Sequence, residues 1–226
     1  MSKRKKASIL FLGKKNDAYV EKALSFCKSN FTDVSTYLAQ WNDPLPEDIG
    51  SWGGDYIISY LSRWVVPEYL LKKAKIAAIN FHPASPEYPG VGCNNFALYE
   101  GACEYGVTCH HMASFVDTGN IIAVEKFPIF SSDNVATLLS RTYDFQLVLF
   151  YRIIGLILRG ENLPVSKEQW TRAPFTRKEL NELGHMKLDM SKDEILRRIR
   201  ATTFGEWKPV VRLHGLEFEL KTETQD

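Results

Sequence analysis

An alternation of two periodicities along the first half of the chain restricts the fold more than any other feature. Ser8-Ile-Leu-Phe-Leu-Gly13 is apolar at consecutive positions and reads as a buried first strand, with a polar turn at Lys14 to Asp17. Ala18 to Lys28 then repeats apolar residues at helical spacing: Val20, Ala23, Leu24, Phe26 and Cys27. A short strand at Val34–Leu38, a loop rich in Pro, Gly and Asp, and a strand at Tyr56–Tyr60 follow. Pro67 to Lys73 suits a short helix with proline in its first turn. Lys75–His82 is a further strand, running straight into a loop that holds Pro83, Pro86, Pro89, Gly90 and Gly92. Strands taking turns with helices predict an α/β fold: a Rossmann-like, mostly parallel sheet flanked by helices.

Beyond that loop the pattern predicts a helix over Asn95–Gly101 and a strand over Val107–Phe115. Asp133 reads as the N-cap of a long helix reaching about Arg159, with Val135, Leu138, Leu139, Leu147, Tyr151, Ile154 and Leu158 on its apolar face. After Pro164 the character changes. Trp170–Phe175 reads as irregular, and Ser191 with Glu194 forms a capping-box pattern opening a helix to Arg200. Val210–Leu220 reads as two short strands around His214-Gly215, a hairpin outside the main sheet. The division expected is a Rossmann-like domain over residues 1–165 and a small C-terminal region, a helix plus β-hairpin, over residues 166–226. An isolated hairpin carrying Val210, Val211, Leu213, Leu216, Phe218 and Leu220 is marginal in water, so a twofold homodimer is expected to cover it.

With a formal net charge of +1 over 226 residues, the chain lacks the strongly basic balance of a dedicated nucleic-acid binder. Cys27, Cys93, Cys103 and Cys109 form no C-x-x-C pair, as expected of reduced thiols in a cytoplasmic protein. The apolar run Ala7–Leu12 behind the basic N-terminus is too short for a signal-peptide core. Val148–Leu158 contains Arg152 and falls short of the roughly 18 residues a membrane span requires. A cytoplasmic location with neither nucleic-acid nor membrane partners is the expectation.

The residues that carry chemistry are Asn80, His82 and Asp117. Side chains alternate on a strand, so Asn80 and His82 share a face while Phe81 points away. The prolines and glycines behind His82 put the pair at the strand's C-terminal end, the edge where open α/β sheets bind ligands. Asp117-Thr-Gly119 follows another strand and is expected to reach the same edge. An amide N–H can hold a carbonyl oxygen as negative charge develops, and an imidazole can take a proton from an attacking amine. The carboxylate either orients the imidazole or relays a proton to the leaving group. No Ser or Cys is obviously paired with His82, so the nucleophile is assigned to the substrate, and acyl transfer to a bound amine fits better than hydrolysis through an acyl-enzyme. Asp117 beside the ring is expected to raise the His82 pKa by more than burial lowers it. Asp117-Thr-Gly119 also matches the aspartic-protease signature, but one copy in an α/β pattern serves that chemistry only in a dimer of another fold.

Asn80-Phe-His-Pro-Ala-Ser-Pro-Glu-Tyr-Pro-Gly90, Gly106-Val-Thr-Cys-His-His-Met112 and Val116-Asp-Thr-Gly-Asn-Ile-Ile122 together resemble the formyltransferases that use 10-formyltetrahydrofolate. The matching signature is N-x-H at a strand end, a P-x-x-x-G loop at Pro86–Gly90, and D-x-G at Asp117–Gly119. The resemblance covers roughly Ser8 to Ile122. The segments Val91–Glu100, His110-His-Met112, Pro174–Leu180 and Arg197–Thr203 look most like the branch that formylates nucleotide-linked amino sugars. The methionyl-tRNA enzymes carry a longer C-terminal domain, and the expectation from the resemblance is that this protein differs from them there. It departs from many relatives in the short Pro-Ala-Ser-Pro loop after His82.

The resemblance implies a Rossmann-like catalytic domain, 10-formyltetrahydrofolate as co-substrate without a metal, and catalysis by Asn80, His82 and Asp117. The acceptor implied is a dTDP-4-amino-4,6-dideoxy sugar destined for a surface polysaccharide such as a lipopolysaccharide O-antigen; glycinamide ribonucleotide is the alternative acceptor, and a non-catalytic folate or nucleotide-sugar binder the rival class. Arg63, Trp64 and Val66 lie in the segment whose backbone binds the pterin in relatives, or in an ordinary strand-to-helix turn. His110 shares a side with Met112 and by resemblance lines the folate site together with Asp117, or packs in the core; its neighbour His111 faces the other way, which makes joint metal ligation awkward. Asn94 and Asn95 are turn and cap residues or substrate contacts. Arg198 and Arg200 form a diphosphate clamp or a solvated face, and Phe204 and Trp207 stack on a nucleotide base or fill a small tail core.

Overall fold

The computed structural model describes residues 4–221; residues 1–3, where the basic N-terminal run begins, lie outside it. Six strands form the main sheet: β1 (Lys5–Lys14), β2 (Phe31–Ala39), β3 (Gly54–Tyr60), β4 (Ala74–His82), β5 (Glu104–His111) and β6 (Ile121–Pro128). Their order is β2-β1-β3-β4-β5-β6. The first four pair in parallel, and β5 runs antiparallel to both its neighbours. Ile9 and Phe11 of β1 enter one apolar cluster and Leu10 and Leu12 a second one, so this strand is buried on both faces, as its unbroken apolar run requires.

The first cluster is covered by α1 (Ala18–Asn30), α3 (Cys93–Glu100) and the long α4 (Val135–Arg159). The second is closed by a 3-10 turn at Glu47–Ser51 and the short α2 (Glu68–Leu71). Among the described residues no helix is long and apolar enough to cross a membrane.

The expected strand over Val107–Phe115 lies three to four residues earlier, and the strand after it, β6, had no clear sequence signal because Glu125 and Lys126 interrupt its apolar run. The N-cap of α4 is Asn134, not Asp133. Asn134 accepts from the Thr137 amide while Thr137 Oγ1 accepts from the Asn134 amide, and Asp133 instead grips Arg141 at 2.8 Å. The buried face of α4 keeps Val135, Leu138 and Ile154 of the expected stripe but otherwise runs through Thr142, Gln146, Leu149, Phe150, Ile153 and Ile157. Two polar residues masked that face. Thr142 donates to the Leu138 carbonyl and the Gln146 amide nitrogen to the Phe81 carbonyl, while Gln146 Oε1 is buried without a partner.

After α4 the chain returns over the sheet edge. Phe175 exchanges backbone hydrogen bonds with Pro89 and Val91, both 2.9 Å. A Cβ on Gly90 would come within 2.3 Å of the Phe175 carbonyl oxygen, and Gly90 holds φ +93°, so glycine is required there. Then come α5 (Arg177–Leu183), opened by an unexpected Thr176–Glu179 capping box, and α6 (Lys192–Thr202) with Ser191 as its cap. A second sheet joins β7 (His185–Met186) to the expected hairpin, β8 (Val210–Leu213) and β9 (Leu216–Glu219).

Candidate active site

The antiparallel turn of β5 brings the polar residues together. Asn80 on β4 lies directly opposite His110 on β5, so both project on one face, and the Asn80 amide nitrogen sits 3.1 Å from His110 Nε2. His110 Nδ1 lies 2.8 Å from the His111 carbonyl oxygen, which can only accept, so Nδ1 carries a proton. Nε2 faces both the Asn80 amide and Asp117 Oδ1: bare in the neutral ring, it accepts one Asn80 N–H and leaves the other for a ligand; protonated, it donates to Asp117.

Asp117 comes from the loop between β5 and β6, which folds back over the end of β4. The motif explains how: Asp117 holds φ +48°, and a Cβ on Gly119 would stand 1.7 Å from the His111 carbonyl oxygen. Only glycine lets that loop lie so close. The Asp117 carboxylate sits between two imidazoles, 3.4 Å from His82 Nδ1 and 3.3 Å from His110 Nε2, and accepts the Gly90 amide at 2.9 Å. Burial would raise its pKa, but the two imidazoles and the Gly90 N–H outweigh burial and hold it down at about 2.

His82 is buried, and its Nε2 lies 3.3 Å from the Tyr88 carbonyl oxygen, so that nitrogen carries the proton of the neutral ring. Nδ1 faces Asp117 and is the position that a second proton would take. Burial pulls the His82 pKa below the ordinary imidazole value, with His110 adding to it and Asp117 opposing it. The sequence expectation had the carboxylate prevailing; closure of the ring on every side reverses it. Trp170 completes that closure. Its indole stands edge-on to His82 and His110, with centroids 5.9 and 5.1 Å away, and donates to the Gly119 carbonyl at 2.9 Å.

A thiol also stands beside His82, contrary to the sequence reading: Cys93 Sγ is 3.7 Å from Nε2. It donates to the Gly90 carbonyl, and burial pushes its pKa far up, so it is a neutral hydrogen-bonding group and not a nucleophile.

A cavity of about 380 Å³ opens over Asn80, His82, His110 and Asp117. Arg63, Trp64 and Val66 line it, as do Lys14, Trp41, Phe115 and Tyr143, which the sequence reading had not singled out. Val65 and Phe115 are 69% and 78% exposed on this wall, an uncovered apolar surface suited to a flat ring.

The formyl transferase family model matches residues 13–154, which run from the end of β1 through most of α4 and include all four of these polar residues. The chain belongs to this family. The methionyl-tRNA formyltransferase of Levilactobacillus brevis is 31% identical over 116 residues, 51% of this chain and 37% of that protein. The chain spans less than half the length of the curated relatives it matches. Among solved structures, a 4-N formyltransferase from Francisella tularensis superposes with a TM-score of 0.75 at 18% identity, covering 96% of this chain and 97% of that one. The N-formyltransferase of Helicobacter canadensis, solved with folinic acid and dTDP-3-aminofucose, gives 0.72 at 22% identity over 92% and 84%.

The remaining candidates of this formyl transferase family member lie away from the cavity wall. Asn95 is buried and donates to the Ala201 carbonyl at 2.6 Å, tying α3 to α6, and Gly92 rather than either asparagine caps α3. The Asn94 amide nitrogen is buried without a partner. Arg198 binds Glu194 and the carbonyls of Glu182, Leu183 and His185, which closes the end of α5. Arg200 donates to the carbonyls of Asp133 and Phe130. Phe204 and Trp207 pair through their backbones, with Trp207 packed on the main core and Phe204 exposed.

Proposed function

We propose that this chain transfers a formyl group from 10-formyltetrahydrofolate to the amine of a nucleotide-linked amino sugar. The observation that carries the reading is the convergence of Asn80, His82 and Asp117 on one cavity, beside a wall of exposed apolar residues. The folate supplies the formyl carbon and the nitrogen that leaves from it. Trp64, Val65, Val66 and Phe115 would hold its pterin. Asn80 keeps one N–H free, and that N–H meets the developing oxyanion when the amine attacks. His82 is neutral at pH 7 because burial lowers its pKa, so Nδ1 can accept the amine proton, and Asp117 stabilises the imidazolium that results. The same proton can then pass to the leaving nitrogen, which balances the reaction.

The choice of acceptor rests on the folate and amino-sugar ligands of the Helicobacter canadensis structure and on the near-complete overlap with the Francisella tularensis enzyme. A dTDP-4-amino-4,6-dideoxy sugar for a surface polysaccharide remains the specific reading. Methionyl-tRNA is the second reading, favoured by the identity to the Levilactobacillus brevis enzyme. The test is to offer 10-formyltetrahydrofolate with a panel of amino-sugar nucleotides and, separately, with methionyl-tRNA, and to look for formylated product by mass spectrometry. Product from an amino sugar and none from the tRNA is expected; the opposite outcome selects the second reading.

The homodimer is part of the same proposal. Leu216 and Phe218 on β9 are 63% and 52% exposed, an apolar surface that a second copy would cover. Sedimentation of Leu216→Ser/Phe218→Ser should show a lighter species than wild type at micromolar concentration; a monomeric wild type ends this part of the proposal.

A further inference from the structure

The arginines of α6 are tied to Glu194 and to main-chain carbonyls and lie away from the cavity, so a nucleotide's charge at the site needs other cations. From Arg141 to Arg212 every arginine except Arg177 donates to a carboxylate or a carbonyl. Arg63 and Arg177 make no hydrogen bond or ion pair among the described residues, and they share one ring. The Arg63 guanidinium lies 4.3 Å from the Trp41 ring centroid and that of Arg177 lies 5.4 Å from it. Arg63 Nε is shut off from solvent and has no partner. Trp41 is 59% exposed and lines the cavity together with Arg63 and Lys14.

Two guanidiniums beside each other repel, and burial together with the Arg177 charge pulls the Arg63 pKa below its usual value. Asp17, the carboxylate whose field reaches Arg63, already accepts from the Tyr19 and Val20 amides and holds Lys14 at 2.9 Å. An unpaired guanidinium in the cavity wall, with a second one over the same cavity-lining indole, calls for a mobile anion. Planar guanidinium forks match phosphate oxygens, and an exposed indole offers a face to a base or a ribose.

We infer that Arg63, Arg177 and Trp41, with Lys14 beside them, form the subsite for the diphosphate of the sugar nucleotide. This rests on the acceptor class proposed above. It moves the diphosphate from the C-terminal arginines, which lie away from the cavity, to the cavity's own rim, where Arg63 precedes the apolar wall assigned to the pterin. The carboxylates of a folate tail carry the same charge, so binding must be measured for both.

The experiment is calorimetric titration of dTDP and of folinic acid, in separate runs, into wild type, Arg177→Gln, Arg63→Gln and the double variant. Arg177 is exposed, so its replacement leaves the fold intact even if Arg63→Gln unfolds, which circular dichroism detects. The expected result is a loss of dTDP affinity of roughly tenfold per arginine, with folinic acid bound within about twofold of wild type. Wild type and Arg177→Gln binding dTDP equally well overturns the subsite while leaving the acceptor class standing. Weakened folinic acid with unchanged dTDP assigns the cluster to the folate tail and also overturns it. Wild type that binds folinic acid but no nucleoside diphosphate overturns the acceptor reading together with the subsite.

Discussion

The wall of the cavity and helix α6 both gather polar side chains, and they use them in opposite ways. Asn80, His82, His110 and Asp117 meet one another around open space, and the Asn80 amide keeps one N–H unengaged. Arg198 meets Glu194 and the carbonyls at the end of α5, and Arg200 meets the carbonyls of Phe130 and Asp133 ahead of α4, so both tie scaffold elements together. The difference teaches that residue type and spacing nominate a site, while the partners of each donor decide it. A guanidinium surrounded by carbonyls is part of the scaffold.

The comparison breaks first at Asp117. Asp117→Asn removes the charge that stabilises a protonated His82, so turnover should fall roughly a hundredfold. The direction of the pH effect follows from the sign. In wild type His82 must be neutral to act, and burial already sets its pKa below the ordinary value of about 6.5, so the acid limb of the rate profile lies below that pH. Without the carboxylate the imidazolium is less favourable still, and the limb should move to lower pH. A limb that stays in place would remove Asp117 from control of the His82 proton.

Arg198→Met tests the other side. It strands the carbonyls of Glu182, Leu183 and His185 and leaves Glu194 to Arg197 and Tyr99 alone, so thermal or urea unfolding should show a loss of about 1–3 kcal/mol. KM for a sugar nucleotide should not change. A raised KM with unchanged stability would return Arg198 to the substrate site. The smallest effect is expected from Trp170→Phe, which keeps an aromatic cover over both histidines and loses only the hydrogen bond to the Gly119 carbonyl. A loss of a few-fold in turnover is the expectation, roughly one neutral hydrogen bond.

Much of this was legible in the sequence. The consecutive apolar residues of β1 required cover on both faces, and Asn80-Phe81-His82 at a strand end fixed which side chains share a face. Three things were not legible. The antiparallel turn of β5, which sets His110 against Asn80, depends on a pairing partner that local pattern does not name. Trp170 reaches the histidines from 60 residues beyond His110 in the chain, through a strap fixed by backbone bonds at Pro89 and Val91. The fate of Arg198 depended on carbonyls at the end of α5, a helix that the pattern reading missed.

Single-turnover kinetics of Asn80→Ala test the central claim most directly, because Asn80 is the group assigned to the developing oxyanion. Enzyme loaded with 10-formyltetrahydrofolate is mixed with the amino-sugar nucleotide, and formylated product is followed with time, alongside a separate measurement of folate affinity. The account predicts a transfer rate lower by about a hundredfold or more, with folate affinity close to wild type. A transfer rate within a few-fold of wild type would contradict it.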